Sequence, residues 1–312
     1  MGRGMKGLLL LLAAAFLMQP STYAATYYLT VSGLGGEPDY EQRFGMWAAD
    51  IGKILKVAPD AKVETLVNGT REQVRAALER IAKEAQPQDA VVLMLIGHGS
   101  FDGYEYKINL PGPDLSGAEL AALLDRIPAT RQLVVNMTSS SGGSVESLRR
   151  PNRVVIAATK TGTEKNATVF ARYWVEALRD PAADTDKNEV VSALEAFRYA
   201  DKKTAAFYDS QKRLATEHAV LEDTGKGEAV RAPSTENGEG HLAAVFPLLR
   251  IGAAASAAKD PAKLELLAKK EQLEQQIDTL KYEKAAMAPE EYKKQLGELL
   301  LELARTQEAL DK

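Results

Sequence analysis

The sequence predicts an α/β protein built on a parallel or mostly parallel sheet with helices on its faces. From Thr26 to about Ala200, short β-rich apolar runs alternate with amphipathic stretches of helical period. One run, Ala90 to Ile96, is apolar at every position, as a strand covered on both faces must be. The helices also open on recognisable capping chemistry. The strands expected in order are Tyr27 to Ser32, Lys62 to Val67, Ala90 to Ile96, Gln132 to Asn136 and Arg153 to Ala158. Thr70 with Gln73, and Ser116 with Glu119, each read as a capping box in which two side chains satisfy two orphan amides. Asn68-Gly69 turns the chain before the first of these, and Pro111-Gly112-Pro113 stiffens the approach to the second.

With 45% hydrophobic and 26% charged positions, 312 residues suffice for one large domain and an appendage. A net charge of -4, with no Lys/Arg run free of interleaved acids, excludes nucleic acid as a partner. Arg3 and Lys6 precede an apolar stretch from Gly7 to Met18, then small Ala24 and Ala25. That order is a secretory signal over residues 1–24, cut between Ala24 and Ala25; a buried N-terminal helix is the competing reading. The apolar stretch is too short to span a bilayer, so the expected product is exported, periplasmic or secreted, and not an integral membrane protein. With no cysteine there is no lipid attachment and no disulfide, and stability must come from the core.

The main domain is expected over 25–221. Residues 222–258 form a linker and closing segment, of which Glu222 to Gly240 is rich in Gly, Glu, Thr and Ser and reads as flexible. From 259 to 312 Lys, Glu, Leu and Gln dominate, broken at Ala288-Pro289, which predicts a helical hairpin. Tyr292, Leu296, Leu299, Leu303, Thr306 and Leu310 alternate spacings of four and three, a coiled-coil seam. The first arm offers Leu266, Leu273, Leu280 and Met287 at one heptad position and Lys270, Ile277 and Lys284 at the other. A seam this short favours packing within one chain over dimerisation.

Ligands of open α/β sheets sit at the carboxyl ends of the strands. The central strand there ends in Gly97-His98-Gly99-Ser100, an imidazole between glycines. The next ends in Asn136-Met137-Thr138-Ser139-Ser140-Ser141-Gly142-Gly143, a hydroxyl-rich turn whose glycines allow close backbone approach.

With these segments the chain resembles the caspase/legumain clan, most closely bacterial legumain-like peptidases. The match runs from Val31-Ser32-Gly33 through His98-Gly99 to the turn at Ser139 and past Glu164, roughly 200 residues. The hydroxyl turn follows the histidine by about 40 residues, comparable to the spacing in caspases. The resemblance implies a caspase-like sheet, His98 as general base, Ser139 where the clan has its cysteine, and Gly99 at the backbone oxyanion position. It sets Gly35, Met137 and Thr138 at the substrate. Met137 stands where legumains have an acidic pocket residue, and Gly35 where they have the Asn that orients the histidine. Without a cysteine the chain is no cysteine peptidase, and a serine hydroxyl needs a well-oriented base that the pattern does not supply. Asp39 is close in sequence but not assigned to His98. Two functions follow from the resemblance: a pseudopeptidase that binds a peptide or protein in the former substrate groove, or a weak hydrolase in which Ser139 attacks with His98 as base. The plain alternatives are a histidine satisfied within a tight turn, and serines that only bond nearby backbone.

Residues 184–195 place oxygens at positions 1, 3, 5, 9 and 12 of a calcium loop. Asp184, Asp186 and Asn188 offer side-chain oxygens, Val190 its carbonyl, Ser192 a direct or water-bridged ligand and Glu195 a bidentate carboxylate. Glu189 occupies the position that wants glycine, and the same residues also make good helix caps. No cofactor is required by this reading; calcium is the one candidate. Asp223 to Glu228 has a similar flavour but too few ligands.

Overall fold

A computed structural model describes residues 24–58, 61–234, 237–260 and 262–312. The signal sequence expected over 1–24 lies, except for Ala24, outside them. Along the chain the elements run β1 (Thr26–Ser32), α1 (Pro38–Leu55), β2 (Ala61–Leu66), α2 (Arg71–Glu84), β3 (Ala90–Ile96), β4 (Gly99–Phe101), β5 (Tyr106–Ile108) and β6 (Leu115–Ser116). There follow α3 (Gly117–Leu124), β7 (Arg131–Asn136), α4 (Val145–Leu148), β8 (Arg153–Ala157), α5 (Phe170–Ala177), β9 (Val190–Ser192), α6 (Ala193–Ser210) and β10 (Val220–Glu222). The last are α7 (His241–Ala244), β11 (Pro247–Arg250), α8 (Gly252–Ala257), α9 (Leu264–Glu283) and α10 (Pro289–Leu310).

Six strands form the central sheet in the order β10-β8-β7-β3-β1-β2, all parallel except β10, which runs antiparallel to β8. β3 lies in the middle and is buried at all seven positions, the environment its unbroken apolar run demands. Its side chains alternate between two cores. Val92, Met94 and Ile96 join Phe44, Trp47 and Ile51 of α1, Phe170 and Trp174 of α5 and Phe197 of α6. Val91, Leu93 and Leu95 join Val74, Leu78 and Ile81 of α2 and Leu120 and Leu124 of α3. The mixed α/β architecture with a mostly parallel, helix-flanked sheet is therefore the predicted one.

Local chemistry departs from expectation in two places. Thr70 and Gln73 form the full reciprocal box, but at α3 only Ser116 caps, accepting from the Glu119 N–H. The Glu119 carboxylate is drawn away to Arg71 and Arg75, charged partners that outcompete a backbone amide. Within the stretch 222–240, expected to be flexible, Asp223 and Glu239 are held by backbone amides. Glu222, Asp223 and Glu239 are buried; Asp223 accepts from the N–H groups of Gly240 and Ala243, and Glu239 from that of Asp223. Phe246 and Leu248 then enter the main core, and β11 pairs with β9.

At the C-terminus α9 and α10 make the helix pair. α9 lies on the body through Arg250–Glu271 and the bond between His241 and Thr279, and α10 lies on α9. Lys270, out of place in an apolar seam, is explained by its contact: its ammonium donates to the Asn188 carbonyl at 3.0 Å. Among the described residues no helix is long and apolar enough to cross a membrane.

Candidate functional site

The carboxyl ends of β3 and β7 place His98 and Ser139 on neighbouring strands. Gly97, at φ +148°, turns the chain out of β3, and His98 leads at once into β4. The imidazole is half-buried beside α1, meeting the rings of Tyr40 (4.9 Å between centroids) and Phe44 (5.2 Å) edge to face. Burial holds its pKa below the ordinary histidine value, opposed by a backbone hydrogen bond to Gly35 and the charge of Glu37. Burial thus disfavours the charged imidazole, which is seated in an aromatic corner and oriented by backbone. Gly35 has no room for the orienting side chain that the resemblance would put there, since a Cβ would run into the backbone nitrogen of Glu41.

Ser139 is 2% exposed, and its hydroxyl is engaged twice by one residue. The Gly99 N–H donates to Ser139 Oγ at 3.0 Å, and Oγ donates to the Gly99 carbonyl at 3.2 Å. Among the described residues no hydrogen bond joins His98 to Ser139. The amide expected to face an oxyanion is occupied by the hydroxyl expected to attack. Gly99 is also pressed onto the turn, for a Cβ there would stand 2.5 Å from the Ser139 carbonyl oxygen and 2.6 Å from the Tyr106 ring.

Met137 and Thr138, assigned to the substrate pocket, are fully buried. Met137 belongs to the core, and its carbonyl accepts from Thr168 Oγ1 at 2.6 Å. Thr138 Oγ1 meets Tyr106 Oη at 2.6 Å and donates to Asn136 Oδ1 at 2.8 Å, while Asn136 Nδ2 donates to Ser144 Oγ. Burial pushes the Tyr106 hydroxyl up to about 12, so this network carries no charge near neutrality. Beside it, Phe101 packs its ring against Gly143 and Gly162, where a Cβ would clash. The turn glycines serve close packing within the chain.

Sequence reasoning passed over a second histidine at the same end of the sheet. His218, just before β10, meets Glu164 Oε1 through Nδ1 at 2.6 Å, while Glu164 Oε2 accepts from the N–H groups of His218 and Lys160. The Glu164 carbonyl accepts from the Ser140 N–H, tying this pair to the hydroxyl turn. Glu164 and His218 are 54 positions apart, and no local motif signals their contact.

Of the six loop residues named for calcium, Asp184, Asp186 and Glu195 converge, with one oxygen of each within 4.8 Å of the others. The other three are spent locally. Asn188 Oδ1 accepts from the Val190 N–H, Val190 is paired in β9 with β11, and Ser192 caps α6 in a full capping box with Glu195.

No family model matches the sequence, and no curated protein does. Among solved structures the chain is similar to caspase-1 from Spodoptera frugiperda, at 13% identity over 64% of this chain and 87% of that one, with a TM-score of 0.48. It is similar to the Drosophila initiator caspase Dronc at 11% identity, over 65% and 81%, with a TM-score of 0.47. A protein from Geobacter sulfurreducens gives 15%, 57%, 89% and 0.41 in the same order. At identities this low a likeness of fold carries no chemistry with it.

Proposed function

We propose that this chain is an exported pseudopeptidase on the legumain plan, a non-catalytic module that binds a peptide or protein along the carboxyl edge of its sheet. The observation that carries the proposal is the closed Ser139–Gly99 pair. A nucleophile needs a base within hydrogen-bond reach and a free oxyanion donor. Here the hydroxyl and the amide satisfy each other, and the imidazole is held by Gly35, Tyr40 and Phe44. A binding surface needs no such pair.

The same edge carries an apolar group with no evident structural duty. Tyr104 is 97% exposed at the tip of the β4–β5 hairpin, on a turn fixed by Asp102 Oδ1, which accepts from the N–H groups of Tyr104 and Glu105. A tyrosine on a held turn has only two side-chain torsions to order on binding and is a common interface anchor.

Fluorogenic peptides cleaved after Asn or Asp are expected to give background rates with the wild type and with Ser139→Ala alike. The variant loses only stability, about 1–2 kcal/mol, because it leaves two backbone groups of Gly99 unpaired. Turnover that disappears in Ser139→Ala establishes the serine hydrolase instead. In parallel, crosslinked partners recovered from the envelope with the wild type are expected to be depleted with Tyr104→Ala.

A further inference from the structure

The loop that joins α5 to β9 holds a concentration of negative charge that the fold does not neutralise. Asp184 is 3% exposed; its Oδ2 accepts from the Glu189 N–H at 3.2 Å, while its Oδ1 is buried with no partner. A buried, unpaired carboxylate oxygen is costly unless something else occupies it. Asp186 and Glu195 stand beside it, all three within the 4.8 Å span.

The surrounding cations are committed elsewhere. Lys187 directs its ammonium to the carbonyls of Asp184 and Pro181. Across a cavity of about 750 Å³, α9 presents Lys270, Glu274, Asp278 and Lys281. There Lys281 pairs with Asp278, and Lys270 pairs with Glu274 and the Asn188 carbonyl. α9 therefore adds no net positive charge to the loop.

We propose that Asp184, Asp186 and Glu195 form a divalent-cation site that takes calcium. The ligands are hard oxygens on an irregular loop, which suits the variable coordination of calcium better than the strict octahedron of magnesium. Asp184 Oδ1 is the open seat, and the exposed Asp186 carboxylate, whose oxygens accept from the N–H and Nδ2 of Asn188, is the second. Glu195 is the fixed wall, its oxygens already held by the N–H and Oγ of Thr185 and of Ser192. Water supplies the remaining ligands. The site is built from three members of the loop pattern rather than six, and it stands independently of the peptide-binding reading.

Calorimetric titration of the chelator-treated chain with calcium chloride at pH 7.5 tests it. One calcium per chain is expected, with a dissociation constant between about 10 µM and 1 mM, and magnesium binding at least about tenfold weaker. Asp186→Asn, at an exposed position that leaves the fold intact, is expected to weaken calcium at least about tenfold, and Asp184→Asn as much if it folds. Absence of stoichiometric binding at 1 mM, equal affinity for magnesium, or an unchanged affinity in folded Asp186→Asn each overturns the site.

Discussion

The turn at the ends of β3 and β7 and the loop before β9 are both rich in polar side chains, yet they have opposite electrostatic characters. At the sheet end, Thr138, Asn136, Tyr106 and Ser144 are neutral groups that satisfy one another, and Ser139 is satisfied by the Gly99 backbone, with the uncharged Ser140 hydroxyl left over. In the loop, Asp184 keeps an orphan oxygen, and three carboxylates crowd together. A satisfied network stabilises a unique fold and has nothing left to offer a reactant, whereas an unsatisfied one gains when a ligand arrives. The turn in which the sequence placed a nucleophile is the one whose groups are spent on one another, and the loop is the one that leaves a buried carboxylate oxygen unpaired.

The largest expected effect comes from opening the closed turn by force. Gly99→Val sets branched carbons against the Ser139 carbonyl and the Tyr106 ring, where even a Cβ at 2.5 Å is too near. With backbone on one side and a buried ring on the other, the clash costs about 3 kcal/mol or more. Chemical denaturation measures it. A loss below about 1 kcal/mol means that the turn is pliable and that a groove can open there.

The strand end does contain one costly charge, and it sharpens the contrast. Glu217 is 3% exposed and caps α5, accepting from the N–H groups of Val169 and Phe170 and from the Tyr208 hydroxyl. Burial nonetheless raises its pKa from 4.5 to about 7. A carboxyl raised in the folded state contributes stability that is complete below its unfolded pKa, and that stability is lost as pH rises through the folded one. Over the interval from 4.5 to about 7 the folded chain binds more protons, so stability falls with pH. Glu217→Gln removes that slope. Relative to wild type, the variant is expected to gain up to ~3 kcal/mol between pH 5 and pH 8, whatever constant cost the amide brings. Parallel denaturation curves at the two pH values read it. An unchanged difference means that the amide donors hold the carboxylate charged throughout.

Burial patterns explain which features were legible from the chain. β3 was readable to the residue because a strand covered on both faces leaves no polar position to blur it. The strands β4, β5, β9 and β10 are three residues long with mixed polarity, below the length at which alternation can be recognised. Residues 222–240 read as a linker because composition counts carboxylates without seeing the backbone amides that hold Asp223 and Glu239 inside. At the candidate site, sequence located His98 and Ser139 on adjoining strand ends. It did not reveal that one glycine satisfies the serine or that Glu164 meets His218, since both are contacts between distant segments.

The smallest effects come from the one strain the two regions share. Ser140 (φ +57°) in the turn and Lys187 (φ +64°) in the loop both hold left-handed backbone without being glycine, at about 1 kcal/mol each. Ser140→Gly relieves that strain and also deletes a buried hydroxyl that has no partner, so it is expected to stabilise the chain by ~1 kcal/mol. Lys187→Gly relieves the same strain, but it gives up the contacts of the ammonium with the Asp184 and Pro181 carbonyls, leaving a gain of ~0.5 kcal/mol. Calcium affinity separates the two variants: removing a cation beside three carboxylates strengthens it about twofold in Lys187→Gly, and Ser140→Gly leaves it unchanged. If Ser140→Gly destabilises the chain instead, its hydroxyl is held by a partner at the sheet end and the turn is built around it. If Lys187→Gly weakens calcium, the lysine organises the loop, and the unneutralised charge of the three carboxylates is not what draws the cation.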